Sequence, residues 1–271
     1  MLETFWDTLN TLKILSVELV IFGLIFFLIE KIRPAEKNVN FFKSDFKEEL
    51  GLALLNASIF QPIFNIIVAG GIIALISSYI PYQIFDQQLQ TAPVIVQVIA
   101  ICFIIDFSTY WRHRVTHTFK ILWPFHSIHH AAQHLNWLTS MRLHPVDLLI
   151  ATLFDVIILH VFGFSTPTIA IGFIIFAFYN HFTHANIDLK FEKPVRYIFA
   201  SPNFHRWHHA TAYSAYNKNF CAMFSFLDLI FGTYYHPEDL PEGYGLEPHN
   251  QKNYPKSLIG WLKYPFRKTS D

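Results

Sequence analysis

The sequence predicts an all-α integral membrane protein of about four to five membrane helices, with a histidine-rich cap on the cytoplasmic side. Three observations carry this reading. Hydrophobic residues make up 52% of the 271 residues and charged residues 15%, against about 25% charged in soluble domains. Several apolar runs approach the roughly 20 residues that a spanning helix needs. Thirteen of the 15 histidines lie between His113 and His209, mostly in blocks with helical spacing.

The elements follow in chain order. Leu12–Ile29 is the first predicted span, read as a retained helix because it has few positive charges before it and no small-x-small cleavage site. The second lies within Leu50–Ile80 and the third is Pro93–Trp111. Val146–Asn180 is too long for one span, and Gly163-Phe-Ser-Thr-Pro167 interrupts it, which predicts a hairpin of two short helices. The stretch from His236 onward reads as irregular, with one interfacial helix near Leu258–Phe266. Residues 1–91 are thus predicted to be N-terminal membrane helices, 92–245 a catalytic unit and 246–271 a cytoplasmic tail.

Charge fixes the expected orientation. Lys31, Arg33, Lys37, Lys43 and Lys47 follow the first span, whereas residues 80–92 contain no Lys or Arg. Arg112, Arg114, Lys120 and Arg142 follow the third span, and Lys190, Lys193, Arg196 and Arg206 follow the hairpin. By the positive-inside rule these segments are cytoplasmic, and every histidine block falls with them. Lys plus Arg equals Asp plus Glu at 20 each, so charge suggests no nucleic-acid partner. Cys102 and Cys221 sit in apolar runs without a CxxC pair, which predicts packing rather than a disulfide framework or thiolate site.

The blocks are His113-Arg-Val-Thr-His117, His126-Ser-Ile-His129-His130, His181-Phe-Thr-His184 and His205-Arg-Trp-His208-His209. Residues three and four apart share a helix face, so each block aims two or three imidazoles at one point. Imidazole suits iron, zinc and copper. Ten such ligands are too many for one tetrahedral zinc and suit a pair of higher-coordinate metals. Asp106, Tyr110, His113 and His117 are spaced by four, three and four, so Asp106 is either an acceptor for a ligand imidazole or an interfacial partner of an arginine. His134, His160, His236 and His249 read as structural or solvated, and His144 as intermediate.

These residues carry a resemblance. Asp106-Phe-Ser-Thr-Tyr-Trp-Arg-His113-Arg-Val-Thr-His117, His126-Ser-Ile-His-His130, Asn136-Trp-Leu-Thr-Ser-Met-Arg142-Leu-His-Pro145, His184-Ala-Asn186 and Ser201-Pro-Asn-Phe-His205-Arg-Trp-His-His209 are similar to the motifs of the fatty acid hydroxylase/sterol desaturase superfamily. The likeness runs from about Pro93 to Gly245. It departs at the third block, HxxH where some relatives have HxxxH, and at Gln133, a position often acidic in relatives.

The resemblance implies a membrane-bound oxygenase with two iron ions, zinc being a substitute. It would hydroxylate or desaturate a lipid C–H bond, on a fatty acyl chain or sterol, using dioxygen. It implies His113, His117, His126, His129, His130, His181, His184, His205, His208 and His209 as ligands, with Asp106, Tyr110, Asn136 and Arg142 in the catalytic set. No GxGxxG, haem-binding or iron–sulfur pattern is present. Electrons are therefore expected from an external cytochrome, ferredoxin or reductase. The rival from another class is a zinc-dependent membrane hydrolase acting on a lipid ester or amide. It is disfavoured because no HExxH occurs and Glu192 is the sole glutamate between Glu49 and Glu238. A metal transporter would place its ligands inside the spans. The tryptophans Trp111, Trp123, Trp137 and Trp207 belong either to a substrate channel or to the interfacial belt.

Overall fold

The structure is a computed structural model that describes residues 20–37, 39, 45–73, 75 and 91–267. Among these residues it is helical throughout, without a strand; the one sheet-like contact is an isolated bridge between Ala210 and Tyr244. Helix α1 covers residues 20–32, so the first half of the expected first span lies outside the described residues. Helix α2, Phe46–Ile67, starts before the apolar run and is widened by a π-type turn at Asn56–Phe60, then continues into another at Val68–Ile73. Helix α3, Val94–Thr118, joins the third span and the first histidine block in one rod. At 1.5 Å per residue, this carries His113 about 3 Å and His117 about 9 Å past Trp111, into the interfacial layer.

Short helix α4, Trp123–His130, follows at once. A 3-10 turn, Trp137–Met141, is capped by the Asn136 side chain, which accepts from the Leu138 amide. The predicted hairpin is α5, Pro145–Phe162, and α6, Thr166–His184. Gly163 lies between them at φ 73°, a left-handed conformation that favours glycine. Cap helix α7, Pro202–His208, begins at Ser201, whose Oγ accepts from the Phe204 amide, and Pro202 stands at its first position. Helices α8 (Phe226–Ile230), α9 (Pro248–Lys252) and α10 (Leu258–Lys263) complete the described elements.

Two helices among the described residues, Phe46–Ile67 and Val94–Thr118, are long and apolar enough to cross a membrane. Helix α3 packs on α5 and α6, and α2 on α5. A side chain at Gly172 of α6 would collide with Ile101 of α3, so this glycine permits the close approach of the two helices. The outward faces stay apolar: Leu24 and Leu28 on α1, Ile63 and Ile66 on α2, Ile99 and Phe103 on α3 are all exposed. Such a belt suits hydrocarbon rather than water.

The segment from Leu246 onward packs more closely than the expected tail. Trp261 is fully buried, in one core with Leu52, Ile128 and Tyr254. The Arg142 guanidinium lies 3.8 Å from the Trp261 ring centroid. Trp261 belongs to the interfacial helix expected near Leu258–Phe266, which forms as α10 and packs inward, closing the cap over α2 and α4.

Candidate metal centre

Nine of the ten candidate histidines converge in two adjacent groups. His113, His117, His126, His130 and His208 form one, and His129, His184, His205 and His209 the other. Within each, one ring nitrogen per residue lies within 4.8 Å of all the others. In both HxxHH blocks the i, i+4 pair stays together and the remaining ring goes to the other group. On α4, His126 and His130 are four apart and share a face, whereas His129, about 100° away from His130, turns to the second group. On α7 the pattern is mirrored: His205 and His209 meet in the second group, and His208 crosses to the first. The groups touch, with the His130 and His209 rings stacked 4.6 Å apart.

The surroundings orient the rings. Nδ1 of His113 is 2.9 Å from the Phe220 carbonyl, that of His208 is 2.7 Å from the Lys218 carbonyl, and that of His184 is 2.7 Å from the Asn180 carbonyl. A carbonyl only accepts, so each Nδ1 carries the proton and each Nε2 presents a lone pair. His126 Nδ1 likewise donates to Asp147, 2.8 Å away. Nε2 of His113 and of His126 is then buried with no hydrogen-bond partner. Nε2 of His208 and of His117 each approach His130 Nε2 to 3.0 Å, and Nε2 of His129 and of His205 approach that of His184 to 3.1 and 3.0 Å. His130 has one proton at most to offer two neighbours. Lone pairs packed this tightly repel unless a cation sits among them, so the residues fit metal ions as the common partner. Five imidazoles around one point exceed a closed tetrahedral site.

Burial keeps the rings neutral, as ligation requires. It holds His129, His130, His205 and His209 well below the ordinary imidazole range, helped by neighbouring imidazoles. His208 is pushed down to about 3 by the same burial.

The remaining expected site residues lie elsewhere. His181 belongs to neither group: its Nδ1 is 2.6 Å from Ser140 Oγ and 3.1 Å from the Trp137 carbonyl, and its ring meets Phe22 and Phe26 of α1. One turn before His184, it faces α1 instead of the cap. Asp106 bonds no imidazole; it accepts from the amides of Ala222, Met223 and Phe224. Tyr110 bonds Thr233 and accepts from Arg114. Asn136 reaches Glu49, and Arg142 bonds Asp45, Glu49 and the Ile128 carbonyl. Asp106, Asn136 and Arg142 thus bond backbone near the histidines, and Tyr110 bonds side chains of α3 and of the segment after α8.

Sequence reasoning missed Asp147, and it reached Asp228 only as part of the family-like ending Leu227-Asp228…Phe231-Gly-Thr-Tyr-Tyr, without a role. Asp147 stands in the first turn of α5 and holds His126; Arg112 lies 3.9 Å from its other oxygen. Asp228 accepts from the amides of Phe220 and Cys221 and from Thr233. With Asp106 it pins residues 220–224, placing the Phe220 carbonyl against His113. Of the four tryptophans considered, Trp123 lines a cavity of about 490 Å³ that reaches His117, His130 and His208. Trp137 is buried beside His181, and Trp207 donates to the Asp239 carbonyl.

The fold and this cluster place the chain in a class, confirmed by comparison with known proteins. The model of the fatty acid hydroxylase family matches residues 98–233, half of the chain, and the chain belongs to that family. Similar proteins include ornithine lipid hydroxylase OlsE of Rhizobium tropici, 31% identical over 145 residues, which are 54% of this chain and 44% of that protein. Alkylglycerol monooxygenase of Danio rerio is 28% identical over 163 residues, 60% of this chain and 35% of the relative. A putative methylsterol monooxygenase of Dictyostelium discoideum is 29% identical over 148 residues, 54% and 53% of the two chains. The match thus spans about a third to a half of these relatives. No solved structure matches the chain significantly.

Proposed function

We propose that the chain is a membrane-bound di-iron oxygenase that hydroxylates a C–H bond of a lipid, using dioxygen and electrons from an external carrier. The observation that carries this reading is the pair of touching imidazole groups at the ends of helices whose outer faces are apolar. The relatives named above are hydroxylases and monooxygenases of lipids, which supports the same class. Residues 92–245 would form the catalytic unit. Helices α1, α2, α3, α5 and α6 would make up four to five spans, with the histidines on the cytoplasmic side as the basic segments suggest.

His113, His117, His126, His130 and His208 would hold one metal, and His129, His184, His205 and His209 the other. Bound there, the metals supply the activation of dioxygen. The chain's own residues keep each imidazole in its ligating tautomer: Asp147 at His126 Nδ1, and the carbonyls of Phe220, Lys218 and Asn180 at His113, His208 and His184. Asp106, Tyr110, Asn136 and Arg142 would act by positioning the segments around the histidines and would not meet substrate. The cavity beside His117, His130 and His208 admits substrate to the first group alone among the cavities described.

A second reading rests on Glu247, which lines that cavity and is absent from the catalytic set above. A glutamate near imidazoles could serve a zinc-dependent hydrolase as general base. The test separates the two. Wild type and His129→Ala/His130→Ala are expressed in one host, and their lipid extracts and metal contents compared. A lipid heavier by one oxygen in wild type alone, with iron in the protein, is the expected result; loss of two hydrogens would make the enzyme a desaturase. Zinc without iron, with lipid cleavage products, would establish the hydrolase.

A further inference from the structure

The cavity beside the first imidazole group sets charged and polar side chains among apolar ones such as Trp123, Leu246 and Tyr264. Its lining includes His117, His130 and His208 of the first imidazole group together with Lys120 and Glu247. Asn217 and Asn250 add amides to the same lining. Lys120 and Glu247 both line it, yet they form no ion pair with each other or with any other charge among the described residues. Glu247 instead lies near Tyr216, another lining residue, whose hydroxyl burial and this carboxylate hold above the ordinary phenol range. Opposite charges that line one cavity without pairing complement a ligand that carries both signs. A volume of about 490 Å³ is in the range of sites for small molecules and headgroups.

The mouth adds the second half of the argument. Lys120 lies in the turn between α3 and α4, and its chain neighbours Phe119 and Ile121 are 55% and 78% exposed. Two large apolar side chains at the end of a membrane helix are stable when they dip into acyl chains. Lys120 then stands at the headgroup level, with its stem along lipid and its ammonium at the cavity.

We infer that this cavity is a subsite for a zwitterionic lipid headgroup, an amine and a carboxylate or phosphate on one molecule. Its anion pairs with Lys120 and its ammonium with Glu247, while its chains remain in the bilayer beside Phe119 and Ile121. The inference rests on the lipid oxygenase reading and deepens it: the C–H bond presented to the first imidazole group belongs to the headgroup or to the carbons next to it, not to a chain terminus.

The test is a binding measurement on the full chain in detergent. Dihexanoyl phosphatidylethanolamine is titrated against dihexanoyl phosphatidylglycerol, dihexanoylglycerol and soluble glycerophosphoethanolamine. The zwitterionic lipid is expected to bind about tenfold tighter than the other two lipids, and Lys120→Glu and Glu247→Lys each to weaken it about three- to tenfold. Both side chains are exposed, so thermal melting of the two variants should match wild type. Phe119→Ser/Ile121→Ser should weaken the lipid and leave the soluble headgroup unchanged. Equal affinity for all three lipids, or indifference to charge reversal, overturns the inference. Soluble headgroup binding as tightly as the lipid overturns its lipid source. Oxygenation of a lipid bound without headgroup preference would sink this subsite and spare the oxygenase. Selective binding by an iron-loaded, reduced protein that oxygenates nothing would sink the oxygenase and spare the subsite.

Discussion

Asp106 and Asp147 are both fully buried carboxylates, and they serve different bonds. Asp147 faces an imidazole, so its loss acts on the metal centre. Asp147→Asn keeps the size of the side chain but removes the charge that holds His126 in its tautomer. Metal affinity should fall about 10- to 100-fold, measured by competition with a chromogenic chelator, with little change in helix content. Asp106 faces three backbone amides, so its loss acts on the fold. Asp106→Asn leaves a buried amide short of an acceptor at a cost of about 1–3 kcal/mol, seen as a lower melting temperature. The sequence pointed to Asp106 because its spacing puts it on the face of His113. Seven residues of helix are about 10 Å, beyond the reach of a hydrogen bond to that ring. Asp147 was illegible because tertiary packing alone brings it to His126, 21 positions away.

The same limit operates on whole elements. Spacing predicted that each histidine block aims its rings at one point; the HxxxH of α3 does so, whereas the two HxxHH blocks split theirs between the groups. What spacing does not contain is the division of labour, in which α4 and α7 each send rings to both groups. That follows from the way the two helices face each other across the centre, a non-local fact. The HxxH of α6 is where the distinction has a consequence. His184 sits among His129, His205 and His209, while His181 sits a turn deeper against α1. His184→Gln should therefore lower bound metal, about one ion of two if the second group holds one. His181→Gln should leave metal content near wild type and lower the melting temperature, because it disturbs contacts with Ser140 and Trp137. Elemental analysis of both purified variants decides this; equal metal loss in the two would return His181 to the ligand set.

At the scale of the molecule, the cap collects imidazoles that must remain neutral in an interior, and this couples its stability to pH and metal together. His129, His130, His205, His208 and His209 all titrate below the ordinary imidazole range when folded, whereas the unfolded chain protonates near 6.5. Below that pH the unfolded state therefore binds more protons than the folded one, and stability falls as pH falls. The window opens at about 6.5 and extends down toward 3, where His208 itself takes up a proton in the fold. Metal removal exposes this dependence, since a bound cation otherwise competes with protons for the same lone pairs. The chelated protein should melt at a nearly constant temperature between pH 8 and 7 and progressively lower below about 6.5. Metal-loaded protein should be more stable at pH 8 and lose that advantage through the same window as protons displace the ions. Melting curves of both forms across pH 5–8 are the measurement. A chelated protein whose melting temperature did not move on acidification would mean that these imidazoles are free to protonate in the fold, and that the cap does not hold them as a closed ligand set.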